Sequence, residues 1–176
     1  MARLPALDAD LEGGDMIKTI LPLRAAELGY IVNARALLDG ISLTIDRGTF
    51  TVVLGPNGAG KSLLLRLLHG MLEPSAGTVS WATGSITDRR RRQAMVFQRP
   101  VLLRRSVEAN IAFALSALGI PRTDRSGLVQ LALERAGLTE ARRVHARLLS
   151  VGEQQRLSVA RALAAEPDIL FLDEPT

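Results

Sequence analysis

Cysteine is absent from this chain. That excludes disulfides and thiolate metal sites and is compatible with a reducing compartment. Aromatic residues amount to 3%, too few for the stacking platforms that grip single-stranded nucleic acid. Long apolar runs are missing as well. The longest, IAFALSALGI, is about half of the ~20 residues a membrane-spanning helix needs. The opening, MARLPALDADLEGGD, lacks an apolar h-region and carries acids early, so it does not read as a secretory signal. Work at a membrane would therefore require a partner that holds the chain there.

What is present describes a globular protein: 176 residues, 47% hydrophobic and 23% charged, enough for one domain with a buried core. The net charge of +4 would suit an anionic partner, but most of the excess is arginine scattered along helical stretches. The one dense run, Arg89 to Arg92, reads as a solvated turn.

Along the chain, residues 1–16 read as a flexible polar lead-in, with Met16 a plausible start. KTILPLRAAEL and ISLTI predict strands, the second with Ile41, Leu43 and Ile45 at alternate positions. TFTVVL predicts a third strand that runs into GPNGAGKS. KSLLLRLLH is apolar nearly all round, which predicts a buried helix closed by Gly70. EPSAGTVSW predicts a turn and strand, and QAMVF another strand. From Ser106 to about Arg147 the pattern is helical, broken at Gly119–Pro121 and Gly137. A last helix is expected over about 150–165, followed by the strand ILFLDE. Strands flanking a helical stretch predict an α/β core with a helical subdomain at about 100–150.

GPNGAGKS fits G-x-x-x-x-G-K-[ST] at Gly55, Gly60, Lys61 and Ser62. The glycines let the backbone curl so that successive N–H groups point at one phosphate beside a helix N-terminus. Lys61 is placed to reach the β- and γ-phosphates of a nucleotide, and the Ser62 hydroxyl to bind Mg²⁺. Pro56, Asn57, Gly58 and Ala59 complete the cradle. ILFLDEPT supplies the other half. Asp173, ending a core strand, is placed to hold the Mg²⁺ through water, and Glu174 to orient or deprotonate the attacking water. Between the two lies LLSVGEQQR, where Ser150 and Glu153 form a capping box. The same helix start, with Ser150 and Gly152, also reads as a second phosphate site. Two phosphate sites in one chain suggest two chains sharing two nucleotides.

These motifs resemble the ATP-binding subunits of ABC transporters. GPNGAGKS is similar to their Walker A, LSVGEQQR to the signature LSGGQ, and ILFLDEPT to Walker B with its catalytic glutamate. VFQRPVLL is similar to the Q-loop, with Gln98 contacting Mg²⁺ and the attacking water. The resemblance covers residues 17–176 and implies a P-loop NTPase core with an antiparallel β subdomain and a helical insertion. It implies ATP and Mg²⁺ as ligands and a homodimer or paired ABC subunit. Transmembrane permease subunits and a solute-binding protein follow as partners, at the cytoplasmic face of the membrane and with no nucleic acid. In the dimer, Ser150 and Gly152 of one subunit would bind the γ-phosphate held by Lys61 of the other.

The chain departs from the family pattern in several places. Val151 stands for the first signature glycine and Glu153 for its glutamine. Leu63 stands beside Ser62 where threonine is usual. Tyr30 is the candidate adenine-stacking aromatic, about two residues too far upstream, and equally reads as an edge-strand tyrosine. His69 and His145 fall outside the family's positions and read as helix-surface residues. The family also continues beyond LDEPT with an interface loop and a strand bearing a switch histidine, so the expectation is an incomplete C-terminus. An importer of a small solute such as an inorganic oxyanion is the leading expectation. A soluble ABC-type ATPase and a non-hydrolysing nucleotide-binding fragment are the alternatives.

Overall fold

The computed structural model describes residues 19–174; the expected lead-in and the Met16 start lie outside them. Strand β1 (Leu23–Val32) sits between β2 (Arg35–Ile45) and β3 (Ala76–Trp81) in an antiparallel sheet. β1 starts later than KTILPLRAAEL predicts and runs further, and β2 extends ISLTI back to Arg35. Leu23 and Ala25 alternate into the core, and the register then shifts before Leu28. The shift passes through Glu27 at φ 49°. It brings the β1 backbone against Gly77 of β3, where a Cβ would lie 2.2 Å from the Glu27 carbonyl oxygen. Only glycine fits there.

Helix α1 (Lys61–His69) buries Leu64, Leu67 and Leu68, each stabilising by about 1.5–3 kcal/mol. They share one core with Leu23, Leu28, Leu38, Ile169 and Phe171. A short helix α2 (Ile86–Arg91) leads into β4 (Gln93–Val96), which pairs in parallel with β5 (Ile169–Leu172). Helices α3 (Val107–Ala117), α4 (Arg122–Ala136) and α5 (Val151–Leu163) close on a second core of Val107, Ile111, Leu115, Leu133, Leu138 and Leu157. Asp168, just before β5, ties the parts together. Its carboxylate accepts from the Ile20 N–H at 2.8 Å and from the Arg92 guanidinium at 3.0 Å.

Four expectations are corrected. TFTVVL has the composition of a strand, yet residues 49–54 pair with no strand among the described residues. Phe50, Val52 and Leu54 are 87%, 60% and 87% exposed; strand composition cannot form a ladder without a partner strand alongside. The Arg89–Arg92 run is not a turn. Arg89–Arg91 form the second half of α2, a helix started by a capping box in which Ser85 and Asp88 bond each other's backbone, and Arg92 is its C-cap, held by the Arg92–Asp168 ion pair. His69 is not on a helix surface. α1 has no wholly polar face, so the ring is half-buried edge-on to Phe171, centroids 5.6 Å apart. Burial lowers its pKa, because an imidazolium loses hydration there. His145 lies in a loop, bridged to Ser106.

Candidate functional site

The loop from Gly55 to Gly60 is tightened by a bond from the Ala59 N–H to the Pro56 carbonyl at 3.2 Å. Gly60 is the N-cap of α1 at φ 89°. A Cβ on it would lie 2.9 Å from Leu38 Cδ2, so sheet packing and backbone conformation both demand glycine. No side chain caps this helix and no acid sits in its first turn. Its first N–H groups and positive dipole end are therefore open to an anion.

Five side chains converge beside that opening. Ser62 Oγ donates to Asp173 Oδ1 at 2.5 Å. Asp173 is 4% exposed and held in line by its own N–H on the Val96 carbonyl at 3.0 Å. Next to it, Glu174 has a left-handed backbone, φ 46°, a strain on the order of 1–3 kcal/mol that is typical of functional sites. Glu174 Oε2 accepts from Gln98 Nε2 at 3.0 Å, and Oε1 lies 3.4 Å from Lys61 Nζ. Lys61 is folded over its own loop, donating to the Gly55 and Pro56 carbonyls at 2.9 and 3.1 Å. The ion pair is partly exposed, 19% on the lysine side and 42% on the glutamate side. Such a pair is worth at most about 1 kcal/mol, so Lys61 gives it up readily for a stronger anion.

The parallel β4–β5 pair makes this convergence. Each strand ends at the same level, so Gln98 after β4 and Asp173–Glu174 after β5 emerge side by side. The loop after Gln98 is itself anchored by Asn110, which is fully buried. Its side chain accepts from the Leu103 N–H at 2.9 Å and donates to the Ser106 carbonyl at 3.0 Å. Sequence reading missed Asn110; the signal was a lone amide inside an apolar helix. The donor set also fits Mg²⁺. One hydroxyl and one buried carboxylate leave most positions to phosphate oxygens and water, which is how this ion is usually held.

The remaining sequence-identified residues lie apart. Leu63 packs against the sheet core. Tyr30 is half-buried on the same core, cross-strand from Leu38. Ser150, Gly152 and Glu153 form the start of α5, and no hydrogen bond or ion pair joins them to the loop among the described residues. Glu153 accepts from the Ser150 N–H at 2.8 Å and the Ser150 hydroxyl at 2.6 Å. Those bonds from Ser150 hold the Glu153 pKa down. Val151 is 80% exposed, and a Cβ on Gly152 would meet nothing within 4 Å.

The family model described as "ABC transporter" matches residues 38–176. The taurine import ATP-binding protein TauB of Escherichia coli O157:H7 is 39% identical over 154 residues, 87% of this chain and 60% of TauB. The tungstate uptake system ATP-binding protein TupC of Peptoclostridium acidaminophilum is 40% identical over 140 residues, 80% of this chain and 65% of TupC. The chain thus spans less than two thirds of either relative. Among solved structures, cbiO1 from Clostridium perfringens, part of the ABC transporter complex cbiONQ, aligns with TM-score 0.76 and 33% identity. That alignment covers 88% of this chain and 65% of cbiO1. An ATP binding subunit of an ABC transporter aligns with TM-score 0.80 and 25% identity, over 88% of this chain and 67% of that subunit.

Proposed function

The chain belongs to the ABC transporter family, with the α/β P-loop fold of its ATPase subunits, and from that premise we propose that it binds and hydrolyses ATP to energise import of a small solute. The observation that carries the reading is the meeting of Lys61, Gln98 and Glu174 beside the open N-terminus of α1, with Ser62 and Asp173 bonded next to them.

In this reading Gly55 to Ser62 wrap the phosphates with backbone N–H groups. Lys61 leaves the Gly55 and Pro56 carbonyls for the β- and γ-phosphate oxygens. Leu63 follows in the first turn, contributing its N–H. Ser62 and Asp173 would hold Mg²⁺, with Gln98 nearby, and the ion would neutralise phosphate charge. Freed from Lys61, Glu174 takes the proton of the attacking water while the Gln98 amide keeps its carboxylate oriented. Tyr30 stacks on the adenine from the antiparallel subdomain.

The start of α5 serves a second copy of the chain or a paired ABC subunit. Neither backbone strain nor crowding requires glycine at Gly152, and the open space over it suits the close approach of another subunit's γ-phosphate, with Ser150 beside it. Residues of about 100–150 form a helical subdomain that meets transmembrane permease subunits. No described helix is long and apolar enough to cross a membrane, so those subunits hold the chain at the cytoplasmic face, with a solute-binding protein delivering cargo and no nucleic acid involved. An inorganic oxyanion is the cargo class we favour, because TupC belongs to a tungstate uptake system.

The test is titration with a fluorescent ATP analogue. Lys61→Ala removes a charge-assisted phosphate contact of about 1.5–3 kcal/mol, so affinity should fall roughly ten- to hundredfold. Unchanged binding would refute the phosphate-loop assignment.

A further inference from the structure

A cavity of about 230 Å³ lies away from the nucleotide loop, between α3, α5 and β4. Alanines make the space. Ala114 and Ala117 of α3, Ala162 of α5 and Ala165 just after it line the space, and methyl groups are too short to fill the gap between the helices.

Met95, Leu118 and Pro167 complete an apolar wall, and the charged groups beside it are cationic. Arg161 of α5 and Arg91 of α2 both line the cavity, and no carboxylate among the described residues does. Neither arginine has an ion-pair partner among the described residues, where the ion pairs involve Lys61, Arg92 and Arg142. Arg161 is half-buried, and burial pushes its pKa down. Guanidinium nevertheless stays protonated in proteins, so this is a charge with reduced hydration and no counter-charge.

Two neutral groups add direction. Ser158, one turn before Arg161, is 4% exposed and lines the same cavity. Gln93 of β4 donates Nε2 to the His69 carbonyl at 2.9 Å, while its Oε1 is buried with no donor among the described residues. The cavity thus offers two guanidinium forks, a hydroxyl and one acceptor in want of a proton.

We propose that this cavity is an oxyanion-binding site, with Arg161 and Arg91 holding the anionic oxygens and Ser158 and Gln93 orienting them. A monohydrogen phosphate-like ion meets each requirement. Its unprotonated oxygens accept from the arginines, usually as short paired bonds, and its O–H supplies the donor that Gln93 Oε1 lacks. A carboxylate shares the first property and not the second. The site lies on the helix that begins at Ser150 and Gly152, so an occupied cavity would brace α5 against β4.

The experiment is thermal unfolding of the 176-residue chain carrying Lys61→Ala, which weakens the nucleotide loop as a competing phosphate site. The chain is titrated at constant ionic strength with inorganic phosphate and, separately, with acetate. The unfolding midpoint should climb with phosphate, as for any ligand that binds the folded state. Adding Arg161→Gln should weaken the apparent affinity by about tenfold or more, and Arg161→Lys should restore part of it. Response to phosphate alone assigns a tetrahedral oxyanion; an equal response to acetate assigns a carboxylate such as an acidic side chain of a partner. If Arg161→Gln does not fold, Arg91→Gln, at the exposed rim, is the second variant and should also weaken binding. The site is refuted by no response to either anion, or by an undiminished response in whichever arginine variant folds.

Discussion

The Ser62 hydroxyl lies 2.5 Å from Asp173 Oδ1, across 111 positions of sequence. The pair joins the start of α1 to the end of β5, and it sets a buried carboxylate beside the mouth of the phosphate loop. A bond to an ionised group is worth about 1.5–3 kcal/mol. Removing the hydroxyl leaves Asp173 buried and without that partner. Ser62→Ala should therefore lower stability by roughly that amount in urea unfolding, and it should also weaken the Mg²⁺ dependence of nucleotide binding. Unchanged dependence on Mg²⁺ would show that Ser62 serves packing alone.

Glu174 carries the next prediction. Gln98 holds one of its carboxylate oxygens and Lys61 the other. Glu174→Gln keeps the size and one acceptor but cannot take a proton, so nucleotide binding should persist while turnover collapses, by about a hundredfold or more. A version joined to the remaining length found in the relatives, assayed for phosphate release, gives the comparison. Retention of more than half the turnover would remove Glu174 from the role of base.

How far this site could be read from the sequence differs by residue. Gly60, Lys61 and Ser62 are contiguous, and Asp173 and Glu174 end an apolar run, so local pattern was enough. Gln98 and Glu174 stand 76 positions apart, and only the parallel pairing of β4 with β5 makes them neighbours. Helix α2 escaped notice because six residues show no apolar period; its Ser85–Asp88 capping box was the available signal. Residues 49–54 mislead in the opposite sense. Their β-branched composition is a local property, whereas a ladder depends on what lies alongside. His69 was misplaced because a helix apolar on nearly every side leaves even its polar residues half-covered.

Glu153 makes the start of α5 sensitive to pH. Its bonds from Ser150 depress its pKa below the ordinary 4.5. A depressed carboxylate contributes stability above the unfolded-state pKa and loses it as pH falls through the folded value. Amide protection in the first turn of α5 should therefore be constant at neutral pH and decline on acidification below about 4.5. Glu153→Gln should flatten that decline. The same change removes a negative charge from the surface proposed to meet a second subunit's γ-phosphate. Val151→Gly removes the 80% exposed side chain beside it. Each should raise ATP-dependent pairing, read by analytical ultracentrifugation; pairing unaltered by both would show that this helix start does not meet a phosphate.

The unpaired segment at 49–54 sets the last prediction. Phe50, Val52 and Leu54 stand 87%, 60% and 87% exposed while Val53 packs on the core, so the segment presents apolar side chains and, among the described residues, no strand partner. Burying three such side chains is worth roughly 5–9 kcal/mol, and unpaired backbone N–H and C=O groups template another strand. The 176-residue chain should accordingly self-associate through this segment, with light scattering that rises steeply with concentration. Val52→Lys places a charge midway along the exposed edge, a change that disfavours strand addition and touches none of the nucleotide-binding side chains. It should lower the scattering severalfold while leaving affinity for the fluorescent nucleotide as it was. A chain that stays monomeric without the substitution, or scattering indifferent to it, would show that residues 49–54 are not the surface through which copies meet.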